Sequence, residues 1–210
     1  QDRSSAASDV YKRQVRIRDD ETETAAMNLL GLCDLSGLRK VGVKGPGAQS
    51  WLESVEINVP QGVFDSQALG NDGLIVRTGM NEFFLQDGIG TRVVASLVDR
   101  VESHGGPLFR VEHQEATFLL TGSRSIDVLA QTCGINFREA ARRKAVFTRV
   151  AGVSCTVFPD VLRETPTYRI WVDPSYAVYL WETLVEICES LDGSVISAGC
   201  VFPELISQAD

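Results

Sequence analysis

The chain has 210 residues and a mass of 23.0 kDa, with 44% hydrophobic residues and a mean hydropathy close to zero, enough for one substantial core or two small domains. A formal net charge of −8 and a pI near 4.9 argue against nucleic-acid or anionic-membrane binding, because a polyanion has to be met by a basic surface. No apolar run approaches the roughly 20 residues that span a bilayer, and no charged-then-apolar leader opens the chain, so a cytoplasmic location is expected.

Residues 1–24 are polar, charged and without period, and are expected to be disordered. The first fourteen lack an initiator methionine and resemble read-through of an adapter or vector, so residues 1–24 are expected to be a disordered or artefactual segment outside the fold. Ala25–Leu32 is a short apolar lead-in. Val41 and Val43 alternate as in a strand, Gly45-Pro46-Gly47 turns the chain, and Ala48, Trp51, Leu52 and Val55 recur at helical spacing. The glycines serve that turn, since they have neither dinucleotide-loop nor P-loop spacing. Leu74–Val76 and Glu82–Gln86 form a hairpin over Thr78–Asn81, and residues 90–102 follow as a helix with Val94, Leu97, Val98 and Val101 on one face.

The order then repeats. Ala116–Thr121 is a strand, Gly122-Ser123 turns it, and Ile126, Leu129, Ala130 and Cys133 line a helix. Val146–Val150 and Val153–Phe158 read as strands, Pro159–Pro166 as a polar loop, and Thr167–Val172 as another strand. Gly122 lies 77 positions beyond Gly45, and Leu129 lies 77 beyond Leu52. A period this long fits duplicated halves packed as one pseudosymmetric domain, here residues 25–205 with halves at about 33–105 and 108–195 and a tail at 206–210. The expected class is α+β, two β-α-β-β-α halves of mainly antiparallel sheet with helices packed on it.

Asp173-Pro174-Ser175 ends the last long strand, and Asp173 or Ser175 can cap the helix that follows. Tyr176, Leu180, Leu184, Ile187 and Leu191 share one face of that helix, while Val178, Trp181, Val185 and Cys188 widen the apolar arc. One sheet needs less than this, so the excess is covered either by another chain or by another segment of the same domain.

Five cysteines, at 33, 133, 155, 188 and 200, form no C-x-x-C pair, and His104 and His113 are the only histidines, so no disulfide framework, metal site or Cys-His nucleophile is indicated. Cys133, Cys155 and Cys188 stand in apolar surroundings that favour buried thiols. Arg138, Arg142, Arg143, Lys144 and Arg149 are a local basic concentration, readable as a solvated face or as a dock for an anion. No Gly-rich strand-turn-helix fingerprint for flavin or dinucleotide is present.

The stretch Leu32–Ala48 with Trp51-Leu52 resembles the opening of the folate-binding domain shared by the glycine cleavage T-protein and its relatives. Phe118, Gln131–Asn136, Tyr168-Arg-Ile-Trp171 and Tyr179–Leu184 look most like the gamma subunit of heterotetrameric sarcosine oxidase, the resemblance covering roughly residues 30–195. It implies a T-protein-like fold and a non-catalytic assembly subunit of a complex that oxidatively demethylates sarcosine or a related N-methyl amino acid. No cofactor is then expected on this chain, with flavin, NAD and tetrahydrofolate in larger partner subunits. No catalytic residue is assigned, and Val178, Trp181 and Val185 are the candidate contacts to a flavoprotein partner. Two departures from the T-protein pattern bear on this. Phe158–Pro166 replaces the Gly-Tyr-Thr-Gly-Glu segment, and Asn71-Asp72 meets the family's aspartate pair only after a shift of one residue. The further C-terminal barrel domain of those enzymes is expected to have no counterpart within these 210 residues. The alternative is a stand-alone tetrahydrofolate-binding aminomethyltransferase-like protein, for which Tyr168, Trp171 and Asp72 offer aromatic walls and a carboxylate. Strand alternation puts Tyr168 and Trp171 on opposite faces.

Overall fold

A computed structural model describes residues 20–88, 91–140 and 142–202. The segment read as artefactual, residues 1–19 of the stretch expected to be disordered, and the tail at 206–210 lie outside the described residues. The chain divides into two compact units, one built from the chain up to Ser36, Ala116–Ala140 and the chain from Phe147 on, the other from Gly37–Glu115 and Ala141–Val146.

The first unit opens with helix α1, Asp20–Leu29, followed by strand β1, Gly31–Asp34. Structure thus begins inside the segment expected to lack it. The cause is burial of a polar residue, since Glu23 is almost fully buried and accepts a hydrogen bond from Ser197 Oγ, a partner 174 positions away that no local reading anticipates.

The chain then enters the second unit through β2 (Lys40–Lys44), α2 (Ala48–Ser54), β3 (Ser66–Leu69), β4 (Gly73–Gly79), β5 (Glu82–Gln86), α3 (Val93–His104) and β6 (Phe109–Val111). Its sheet has the order β3-β4-β5-β2-β6, and its four strand pairs are all antiparallel. Val41, Val43, Ile75, Phe83 and Leu85 project from one face and pack with Trp51 and Leu52 of α2 and Val94, Leu97 and Val101 of α3. The expected helix at 90–102 is displaced by a few residues because its start is set from outside. Asp87 Oδ1 accepts from the Val94 amide at 2.9 Å, an anchor six residues before the helix.

The chain returns to the first unit with β7 (Ala116–Thr121), α4 (Ser125–Thr132), β8 (Val146–Val150), β9 (Val153–Leu162), β10 (Thr165–Val172), α5 (Ala177–Ser190), β11 (Ser194–Val195) and α6 (Ala198–Val201). The sheet order is β11-β1-β7-β10-β9-β8. Pairing of β1 with β11 is parallel, and the pairs β1-β7, β7-β10 and β10-β9 are antiparallel. The chain is therefore mixed α+β with antiparallel-rich sheets and helices packed on them. Element order from β7 to α5 follows that from β2 to α3.

The polar loop expected over Pro159–Pro166 is instead a hairpin. β9 runs to Leu162, β10 starts at Thr165, and only Arg163 and Glu164 turn, both at positive φ (49° and 69°), as a two-residue turn between right-twisted strands requires. Two prolines and three charged residues hid it. Pro166 is tolerated because pairing of β10 with β7 begins only at Thr167.

Glycine is needed at the two turns 77 residues apart. Gly45 has φ 131° and a Cβ there would stand 1.9 Å from Pro107 O, while Gly122 has φ 106° and a Cβ would stand 2.4 Å from Leu29 O. Each carbonyl then accepts from the third residue on, Ala48 or Ser125, where the next helix starts.

Candidate functional site

The C-terminal helix α5 is set on the first unit by a strand-to-helix junction. Asp173 ends β10 and accepts from the Ser175 amide at 2.9 Å across the 3-10 turn Pro174–Tyr176. The Ser175 hydroxyl and amide hold its carboxyl below the usual carboxylate range. Three helical turns follow in register with the sheet: Leu180, Leu184 and Cys188, spaced four apart, are the buried line.

That line corrects the expected face in two places. Cys188 belongs to the buried centre, where burial pushes its thiol up to about 12, and Tyr176 lies outside it with more than half its surface exposed. Trp181 is half-buried, its ring 5.1 Å from that of the buried Phe118, so the sheet itself takes up part of the wide apolar arc. Val185 is also half-buried. Val178 is not, at 70% exposed, nor is Tyr179, at 54%, whose hydroxyl donates to Ala151 O at 3.2 Å. Beside them Glu182, Glu186 and Glu189 are exposed and make no ion pair among the described residues.

The residues considered for a folate site separate. Tyr168 is cross-strand to Leu120 and meets Phe137 edge-on at 5.7 Å, whereas Trp171 points to the other face of β10 and lies 6.1 Å from Phe158. Asp72 belongs to the other unit, exposed in the turn between β3 and β4 at φ 57°.

No group of three metal-ligating side chains occurs among the described residues. All five cysteines lie in the first unit and both histidines in the second. Cys155 is raised by burial to about 11 and Cys33 is raised strongly, also by burial, so these thiols stay protonated and weakly nucleophilic. Cys133, expected to be buried, is partly exposed, with its sulfur 3.4 Å from Thr148 Oγ1. The basic concentration is divided between the units. Arg138 faces Asp127 at 3.5 Å in one, Lys144 faces Asp65 at 3.0 Å in the other.

Two polar clusters of the second unit escaped the sequence reading. Arg77 is buried with no carboxylate partner among the described residues, donating instead to the carbonyls of Pro60, Gln61, Gly79 and Met80 above the Phe83 ring. His113 Nδ1 is 2.7 Å from Glu115 Oε1, with its ring edge-on to Phe84 at 4.9 Å. Burial opposes ionisation of Glu115, but hydrogen bonds from His113 and its own amide, with the charges of His113 and Lys40, bring its carboxyl below the ordinary value.

No protein-family model matches the sequence, and neither does any curated protein. Solved structures do match. The glycine cleavage system aminomethyltransferase T of Bartonella henselae superposes with a TM-score of 0.69 over 87% of this chain at 16% identity, and only 52% of that enzyme is covered. A chain of the heterotetrameric sarcosine oxidase of Corynebacterium sp. U-96, solved with pyrrole 2-carboxylate, superposes with a TM-score of 0.61 over 80% of this chain, again at 16% identity, and here 89% of the neighbour is covered. The chain has the T-protein-like fold that these two proteins share. It spans about half the length of the aminomethyltransferase.

Proposed function

We propose that this chain is the gamma-type subunit of a heterotetrameric sarcosine oxidase-type complex, oxidising sarcosine or a related N-methyl amino acid, with a role in assembly and not in catalysis. The observation that carries the reading is coverage: the match takes in 89% of the sarcosine oxidase chain but only half of the aminomethyltransferase. The exposed part of α5 supports it, because Val178, Trp181 and Val185 run along one edge of a helix whose buried line is already filled. The partners would be larger flavoprotein subunits that carry flavin, NAD and tetrahydrofolate, in the cytoplasm, with neither nucleic acid nor membrane involved. No described helix is long and apolar enough to cross a membrane. The shared element order and the two constrained glycines 77 residues apart support an origin of residues 25–205 by duplication of halves near 33–105 and 108–195.

The test is to express a tagged chain with its neighbouring genes, purify it, and record the masses and the visible spectrum. A yellow complex containing a larger flavoprotein is expected. Val178→Glu should release the chain from it without unfolding, since Val178 touches little of its own domain, while Trp181→Glu should release it but also strain the Phe118 contact. Assembly indifferent to both substitutions would remove this surface from the interface.

The second reading, a tetrahydrofolate-binding aminomethyltransferase-like protein, draws support from the TM-score of 0.69. The opposite orientations of Tyr168 and Trp171 count against a shared pterin wall. Titration of the isolated chain with reduced folate decides it: a flat isotherm ends that reading.

A further inference from the structure

Helix α5 carries an electrostatic asymmetry that its own unit answers only at the C-terminal end, where Arg124 donates to Leu191 O at 2.7 Å. From Ala177 to Ser190 it contains three glutamates and neither lysine nor arginine. At 100° per residue Glu182, Glu186 and Glu189 fall within about 60° of arc opposite the buried line Leu180, Leu184 and Cys188, and Val178 and Val185 border that arc. Glu189 sits in the last turn with Glu186 just before it, at the negative end of the helix dipole, where carboxylates are unfavourable. A helix laid on its own sheet gains nothing from this arrangement. Like charges four apart repel, and no described residue forms an ion pair with any of the three glutamates.

We propose that this face docks into an apolar groove of a partner protein rimmed by lysine or arginine, Val178 and Tyr179 entering the groove while Glu182, Glu186 and Glu189 meet the basic rim. The proposal rests on the subunit reading above and specifies the chemistry of its contact. The charges steer the encounter and fix its register, and the apolar pair supplies the contact that persists in salt. A second copy of this chain would set three glutamates against three glutamates. It is the wrong occupant.

The probe is the flavoprotein chain that co-purifies, separated and recombined with this chain while the association rate is followed at about 20 mM and about 500 mM salt. The triple substitution Glu182→Lys, Glu186→Lys and Glu189→Lys should slow association about tenfold or more at low salt and much less at high salt. The triple Gln variant should fall between. Val178→Glu should raise the dissociation rate at both salts. All these positions are exposed, so circular dichroism should not change. The proposal fails if both triple variants bind as the parent does, if the rate does not depend on salt, or if nothing co-purifies. It also fails if the parent chain is a dimer that the same substitutions break, which would assign the face to a second copy. If they change only the protease sensitivity of residues 1–19, with Lys12, Arg13, Arg16 and Arg18, the occupant is the start of the chain itself. A colourless partner held through the glutamates would sink the flavoprotein reading and keep the charge argument. A yellow complex indifferent to them would do the reverse.

Discussion

Asp87 is the residue on which the start of α3 depends, and replacing it by alanine and by asparagine separates its two physical effects. The side chain is 2% exposed, Oδ1 accepts from the Val94 amide at 2.9 Å and from Thr91 Oγ1 at 3.4 Å, and Oδ2 has no hydrogen-bond partner among the described residues. Burial raises its carboxyl above the ordinary value of 3.8, against the lowering effect of the bonds from Val94, Thr91 and Val93. Losing a cap costs about 0.5–2 kcal/mol, and a buried amide left bare costs about 1–3 kcal/mol. Alanine incurs both. Asparagine keeps an acceptor and discards the charge, so Asp87→Asn should exceed Asp87→Ala in stability by about 1–2 kcal/mol at neutral pH. The pH dependence has a definite sign. A carboxyl raised in the folded state binds more protons folded than unfolded, so its favourable contribution is complete below the ordinary value and is lost as pH rises through the folded one. The parent should therefore lose ground to Asp87→Asn as pH climbs from about 4 toward neutrality. Hydrogen exchange of the α3 amides, with urea unfolding followed across that range, reads both effects. Equal stability of the alanine and asparagine variants, or a gap that widens in the parent's favour with rising pH, would refute the account.

Arg77→Met should destabilise the second unit by about 3 kcal/mol in urea unfolding, because four carbonyls lose a charged donor and the Phe83 ring its cation. Gly122→Ala should lower stability by about 2–3 kcal/mol, combining strain at φ 106° with a Cβ 2.4 Å from Leu29 O, and an unchanged melting temperature would contradict that geometry. Glu115, lowered in the folded state, adds stability above its ordinary value that disappears as pH falls. His113→Ala removes its main hydrogen-bond donor, so the acid-side decline between about pH 6 and 3 should flatten.

Periodicity read the strands that face a core. Val41, Val43, Phe83 and Leu85 alternate because one side of their sheet packs on α2 and α3, and that alternation is present in the letters alone. Strands β3, β6 and β11 were illegible for the opposite reason. Each has four residues or fewer, and Ser66-Gln-Ala-Leu69 holds its place through a ladder to β4 that leaves no hydrophobic signature. The hairpin at Arg163-Glu164 was hidden by residues that seldom occupy positive φ, so its turn rests on pairing of the flanking strands and not on turn chemistry.

The surface of α5 shows where such reading stops. Counting positions on a wheel gave a wide apolar arc but could not say which part of it the sheet already uses, because that depends on Phe118, 63 residues upstream, reaching Trp181. With Trp181 half-satisfied, the unexplained surface contracts to Val178, Tyr179 and the edge of Val185, and the three glutamates beside them gain weight. In the sequence they read as an ordinary polar stripe. Only the described ion pairs, none of which includes them, together with the place of Glu186 and Glu189 toward the negative end of a helix without a basic residue, turn that stripe into a charge needing a counter-charge. An apolar patch alone would not have indicated what kind of surface meets it; the acidic border does.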